Sequence, residues 1–329
     1  MVHSSFGLIE TRYLISMQLW DSLLLPNWYN TLKCVSIEAH WITLDNNLIE
    51  YLSSDDMIFP ESCHSGNFDI NSTVTSPTFP DFENKVKQYI SKLGGAVVPN
   101  VNFQTPTDAL WISTDKSLAC RNLSEVLHLV KASIKTSNIL CDNRHFSMHY
   151  LIFRPWLSEM NLSDEFRVFV FNHNVVAISP KDTTYVSYIE EQSQDLESII
   201  VNFINGIVLP KIKDLFVTSF VCDLWVKAID RSCWLLDVLP YDSSLTSGVL
   251  FSWDELSNNS ISKVSHESDV SQCGLLRYVS CDHGIQSRKA CNSGYFPSDV
   301  TDLATGADVN KFIDLLERSR TQSESSNSD

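Results

Sequence analysis

The strongest constraint on how this chain folds is a polar turn, Asp230-Arg231-Ser232, set between apolar runs at residues 217–226 and 233–239. Two such runs around a short polar turn make a β-hairpin, and a hairpin dictates which side chains face one another. If Val226 pairs with Trp234, then Asp223 lies opposite Asp237. Two ionised carboxylates facing each other destabilise a sheet unless something positive sits between them. Magnesium, a hard cation held by one or two carboxylates plus phosphate oxygens, would resolve that conflict. A shifted register would instead turn one Asp to solvent and leave nothing to bind.

A second hairpin is expected where residues 166–171 and 175–179 flank Asn172-His173-Asn174. Period-two alternation puts Glu165, Arg167 and Phe169 on one of its faces. Lys181 and Asp182 follow the return strand, and Arg154 ends a strand-like run at 149–153. Cations converging on a sheet face can neutralise phosphate oxygens; for any one of them a surface ion pair is the commoner role. Phe82, Val86, Tyr89, Ile90 and Leu93 predict a helix that stops at Gly94-Gly95. Leu123, Val126, Leu127, Val130 and Ile134 predict a second helix, and residues 199–208 lie in a third that ends near Pro210. The pattern is that of a mixed α/β (α+β) protein with antiparallel sheets.

The chain has 329 residues, 43% of them hydrophobic, enough for one large or two modest cores. Its net charge of −16 argues against direct nucleic-acid or anionic-membrane binding and suits a basic protein partner or a bound cation. No stretch approaches the roughly 18 apolar residues that span a bilayer. Glu10, Arg12 and Asp21 break the apolar run of residues 1–26, so no signal peptide is read there. Nine cysteines without a C-x-x-C pair fit free thiols in a reducing cytoplasm, and the sequons at Asn71, Asn122, Asn161 and Asn258 are then chance matches. Cys273, Cys281, His283 and Cys291 match no common zinc spacing, so free thiols are the reading there. Residues 71–78 read as a loop, 257–271 as a Ser-rich linker and 319–329 as a polar tail, with a short helix expected around Val309, Phe312, Ile313 and Leu316. Gly-rich phosphate loops, H-E-x-x-H and G-x-S-x-G are absent.

Several ordered segments resemble the cell division cycle protein 123 family. They include Trp28-Tyr29, Pro99-Asn100-Val101-Asn102-Phe103, Arg154-Pro155-Trp156 and Glu165-Phe166-Arg167-Val168-Phe169-Val170. Ile178-Ser179-Pro180-Lys181-Asp182, Val221-Cys222-Asp223-Leu224, Leu236-Asp237 and Leu250-Phe251-Ser252-Trp253-Asp254-Glu255-Leu256 continue the series. The likeness covers roughly residues 20–256, with no counterpart expected for 257–329. It implies an ATP-grasp-like, two-lobed fold: an N-terminal lobe at 12–145, a C-terminal lobe with a Mg-ATP site at 146–256, and a linker and tail at 257–329. It also implies an assembly chaperone for eukaryotic translation initiation factor 2, binding the γ subunit and promoting its joining to the α subunit, and not a catalyst. An ATP-grasp ligase or transferase acting on a protein, or a nucleotide-independent interaction protein, are the alternatives. By the resemblance, Asp223 and Asp237 are the metal carboxylates for Mg2+, and Arg154, Glu165, Arg167, Lys181 and Asp182 surround the ATP. The sequence departs from the family where Leu239 replaces an asparagine and Asn100 a lysine.

Overall fold

The computed structural model of the chain describes residues 20–63, 76–142, 146–213, 217–257 and 269–280. In chain order its strands are β1 (His40–Leu44), β2 (Val97–Val101), β3 (His149–Pro155), β4 (Glu165–Phe171), β5 (Asn174–Pro180), β6 (Phe220–Lys227), β7 (Ser232–Pro240), β8 (Val270–Cys273) and β9 (Leu276–Val279). They form two sheets, one of three strands in the order β1-β3-β2 and one of six in the order β7-β6-β4-β5-β9-β8. Pairing is antiparallel except between β5 and β9. The protein is thus α/β with antiparallel sheets, as the sequence predicts.

A continuous apolar core runs from Trp28 and Leu32 through Phe153 to Phe166, Phe220 and Leu276. Strand β3, on the C-terminal side of the expected lobe boundary, is the centre of the three-stranded sheet. Strands β8 and β9 fall inside the stretch expected to be linker and tail, yet they extend the larger sheet. The Ile178 amide of β5 donates to the Leu275 carbonyl (2.8 Å), fastening that edge.

Local chemistry explains the elements. The helix Pro80–Lys92 has proline in its first turn, where no N–H is needed, and Glu83 reaches back to the Phe79 amide (3.0 Å). Phe82, Val86 and Ile90 are buried on one face. It stops where Gly94 and Gly95 take φ of +91° and +89°, a backbone that glycine adopts without steric cost. The second helix spans Leu123–Ala132, capped by Asn122, which accepts from the Glu125 amide. Ile134 does not belong to it: Ser133 caps a new helix, Ile134–Cys141, and Ile134 is exposed. Nor does Pro210 end the third helix. The helix Ser193–Phe203 runs into a π-helical turn, Ile204–Val208, and resumes as Leu209–Ile212 with Pro210 in its first turn. The wider turn takes up the proline's missing donor and its clash with the preceding turn.

The β4–β5 connection is tighter than expected. Phe171 pairs with Asn174, leaving a two-residue turn of Asn172 and His173 with φ of +48° and +61°. Positive φ at both positions is the geometry whose twist matches the flanking strands. The expected helix around Val309, the tail at 319–329, residues 71–75, most of 257–271, and Cys281, His283 and Cys291 lie outside the described residues. Among the described residues no helix is long and apolar enough to cross a membrane.

Candidate functional site

In the six-stranded sheet, register alone lines up four side chains across four strands. Asp237 of β7 faces Asp223 of β6, Asp223 faces Arg167 of β4, and Arg167 faces Ser179 of β5. The Val226–Trp234 pair expected from the sequence does not form: Val226 pairs with Cys233. A bulge between Asp223 and Leu224 leaves Leu236 as the extra residue, since Leu224 pairs with Leu235 and Asp223 with Asp237. Bulges insert one residue and re-aim the strand beyond them. Here that restores the carboxylate pair.

The two carboxylates are buried, with side chains 8% and 10% exposed for Asp223 and Asp237. Arg167 clamps Asp223 through Nε to Oδ1 and Nη2 to Oδ2, both at 2.8 Å, and its Nη1 donates to the Ser247 carbonyl (2.9 Å). Two parallel charge-assisted bonds of this kind are the strongest contact an arginine makes to a carboxylate. Lys181 lies 3.2 Å from Asp223 Oδ2 and donates to Glu165 Oε2 at 2.7 Å. Arg154 reaches across from β3, placing Nη2 3.1 Å from Asp237 Oδ2. That contact is at ion-pair distance but its N–H is not aligned as a hydrogen bond. Asp237 Oδ1 accepts from the Val238 amide (3.2 Å).

Asn100 turns its amide oxygen to Arg154 Nη1 (2.8 Å) and Thr105 Oγ1 (3.1 Å), while its nitrogen donates to the Pro99 carbonyl (2.9 Å). The amide's orientation follows from these partners.

The two aspartates differ electrostatically. Burial pushes the Asp223 carboxyl up, but Arg167 and then Lys181 more than offset it and hold it well below the ordinary carboxylate range. Burial likewise pushes Asp237 up; Arg154 opposes this and the Asp223 charge adds to it, leaving Asp237 raised. Burial would lower Lys181, yet Asp223 and Glu165 keep it above its usual value.

The structure therefore brings Arg154, Glu165, Arg167, Lys181, Asp223 and Asp237 into one cluster between the two sheets. Asp182 follows at the end of β5, where its Oδ1 accepts from the Thr184 amide (3.0 Å) and hydroxyl (2.7 Å) and so helps to organise the turn. Phe169, on the same face as Arg167, joins an aromatic group with Tyr241, Phe251 and Trp253 instead. Sequence reasoning missed Ser247. Its signal was the neighbouring Gly248, where a Cβ would collide with the Phe251 carbonyl.

Magnesium takes oxygen ligands at about 2.0–2.1 Å in a near-octahedral shell. Both oxygens of Asp223 are occupied by nitrogen donors, Asp237 faces Arg154 and its own backbone, and Leu239 offers no oxygen. Among the described residues no group of three or more His, Cys, Asp or Glu side chains is placed to hold a metal ion. As arranged, the donor set does not fit a resident divalent cation. The cationic side is different, because Arg154 Nη2 is buried without an aligned acceptor.

Comparison with known proteins places the chain. The D123 family model matches residues 28–304, well beyond the limit at 256 that the motifs suggested. A protein of Xenopus tropicalis named translation initiation factor eIF2 assembly protein is 31% identical over 325 residues, covering 90% of this chain and 94% of that one. A protein of the same name from Kluyveromyces lactis is 31% identical over 223 residues, 64% of this chain and 59% of that one. Among solved structures, Cdc123 from Schizosaccharomyces pombe superposes with a TM-score of 0.59 at 26% identity, covering 73% of this chain and 91% of that one. The chain belongs to the D123 family.

Proposed function

We propose that this chain is an assembly factor for eukaryotic translation initiation factor 2, binding its γ subunit and promoting its joining to the α subunit as a cytoplasmic, non-catalytic chaperone. The observation that carries the reading is likeness over nearly the whole of both chains to a relative named for eIF2 assembly. The net charge of −16 supports it, since an acidic surface steers a basic partner towards it. The test is retention of purified γ subunit on the immobilised full chain, followed by addition of α subunit. Retention with faster joining is expected; failure to retain γ overturns the reading.

A second reading, that the cluster also takes ATP as the family resemblance implies, is favoured by Arg154 Nη2 and by the convergence of Arg154, Arg167 and Lys181. Arginine pairs well with phosphate oxygens through such donors. Titration calorimetry with ATP tests it, and a flat isotherm would remove it.

A further inference from the structure

We infer that, in the absence of nucleotide, this chain holds its facing aspartates with its own cations in place of a divalent metal, so that the centre between its two sheets does not need a resident metal. The inference is separate from the assembly reading: either can fail without the other.

Arg154, Arg167 and Lys181 stand against Glu165, Asp223 and Asp237, three cations to three carboxylates, in contacts of 2.7–3.2 Å. A set balanced in this way attracts no further cation, and an added divalent ion would meet three positive side chains at close range. Occupancy points the same way. For Asp223 to ligate a metal it would have to release a bidentate guanidinium, leaving a buried arginine unmatched, which is costly in a poorly solvated site. The wall is consistent too. Leu239, two residues after Asp237, is 4% exposed and presents only carbon where the resemblance implies an asparagine oxygen. Asn100 places a neutral amide where the resemblance implies a lysine, and its oxygen accepts from Arg154. A fourth cation there would repel Arg154. The asparagine instead holds the arginine that faces Asp237, so the two departures suit one design: the second carboxylate is met by arginine where a metal would need more oxygen.

The test is titration of the purified full chain with Mn2+, reading free ion by electron paramagnetic resonance, with Mg2+ as competitor. Expected is no saturable site that Mg2+ displaces, and a thermal unfolding midpoint that is the same in EDTA and in excess Mg2+. One-to-one Mn2+ binding, displaced by Mg2+ and lost in Asp237→Ala or Asp223→Ala, overturns the inference. Binding that persists in both Asp237→Ala and Asp223→Ala lies elsewhere on the acidic surface and leaves the inference standing. Should either variant fail to fold, the EDTA comparison on the unaltered chain decides alone.

Discussion

The two halves of the ion cluster face each other across one hairpin and are built differently. Around Asp223 every oxygen is engaged, by Arg167 in two aligned bonds and by Lys181. Around Asp237 one arginine approaches without alignment and one backbone amide donates. The first carboxyl is stabilised as an anion in spite of burial, and the second is pushed towards its neutral form by burial. Identical side chains at paired positions thus do different work: Asp223 fixes the sheet face, whereas Asp237 stays loosely held at the boundary with the smaller sheet. Neighbours, more than residue type, set that difference.

Breaking the closed half has the largest expected effect. Arg167→Met leaves a buried carboxylate with only Lys181, and a loss of about 3–5 kcal/mol in urea unfolding is expected. Asp223→Asn strands Arg167 and is expected to cost about 3 kcal/mol. Asp237→Asn removes a like charge facing Asp223 together with a misaligned pair, and is expected to change stability by less than about 1 kcal/mol. Equal costs for the two asparagine variants would erase the distinction.

Acid sharpens it further. Asp223 has a depressed carboxyl, so its stabilisation is complete above the ordinary range near pH ~4 and drains away as pH falls below it. Asp237 has a raised one, so it costs stability as pH climbs from ~4 through its folded value. The unaltered chain should therefore lose ground to Asp237→Asn with rising pH, levelling once Asp237 is ionised. Urea midpoints between pH 3 and 8 measure this, and a constant gap counts against the raised carboxyl.

The smallest effect lies in the loop that brings the Ser247 carbonyl to Arg167. Val249 sits there at φ +56°, a conformation that costs a β-branched residue about 1–2 kcal/mol. Val249→Gly is expected to gain about 0.5–1 kcal/mol by calorimetric unfolding, less than the full strain because glycine also frees the unfolded chain. A loss would mean that the valine side chain contributes packing that outweighs its backbone.

Much of this was legible in the sequence because strands alternate with period two. That alternation placed Glu165, Arg167 and Phe169 on one face, and the apolar runs gave both hairpins. What escaped depends on single insertions and on distance. The extra residue Leu236 leaves no mark in composition, so the facing aspartates were reached through a pairing the fold does not use. The break between the helices at Ser133 was readable as a cap, since Ser133 accepts from the Thr136 amide, but the apolar stripe masked it. The exact partners of the cluster, Arg154 from one sheet and Asp237 from the other, depend on how two sheets meet, which no local pattern records.

The parallel seam between β5 and β9 bears on how the chain reaches this fold. Ile178 meets Leu276 across about a hundred residues of intervening chain, whereas the β4–β5 and β6–β7 hairpins close locally. Distant pairings form slowly because closure entropy must be met before any contact repays it. Maturation is thus expected to run from the hairpins outward, with β9 docking last. Until then the backbone of β5 is an open edge, competent to pair with another chain. A nascent or truncated copy lacking residues 270–279 is in that condition permanently, and its hazard is self-association rather than simple loss of structure.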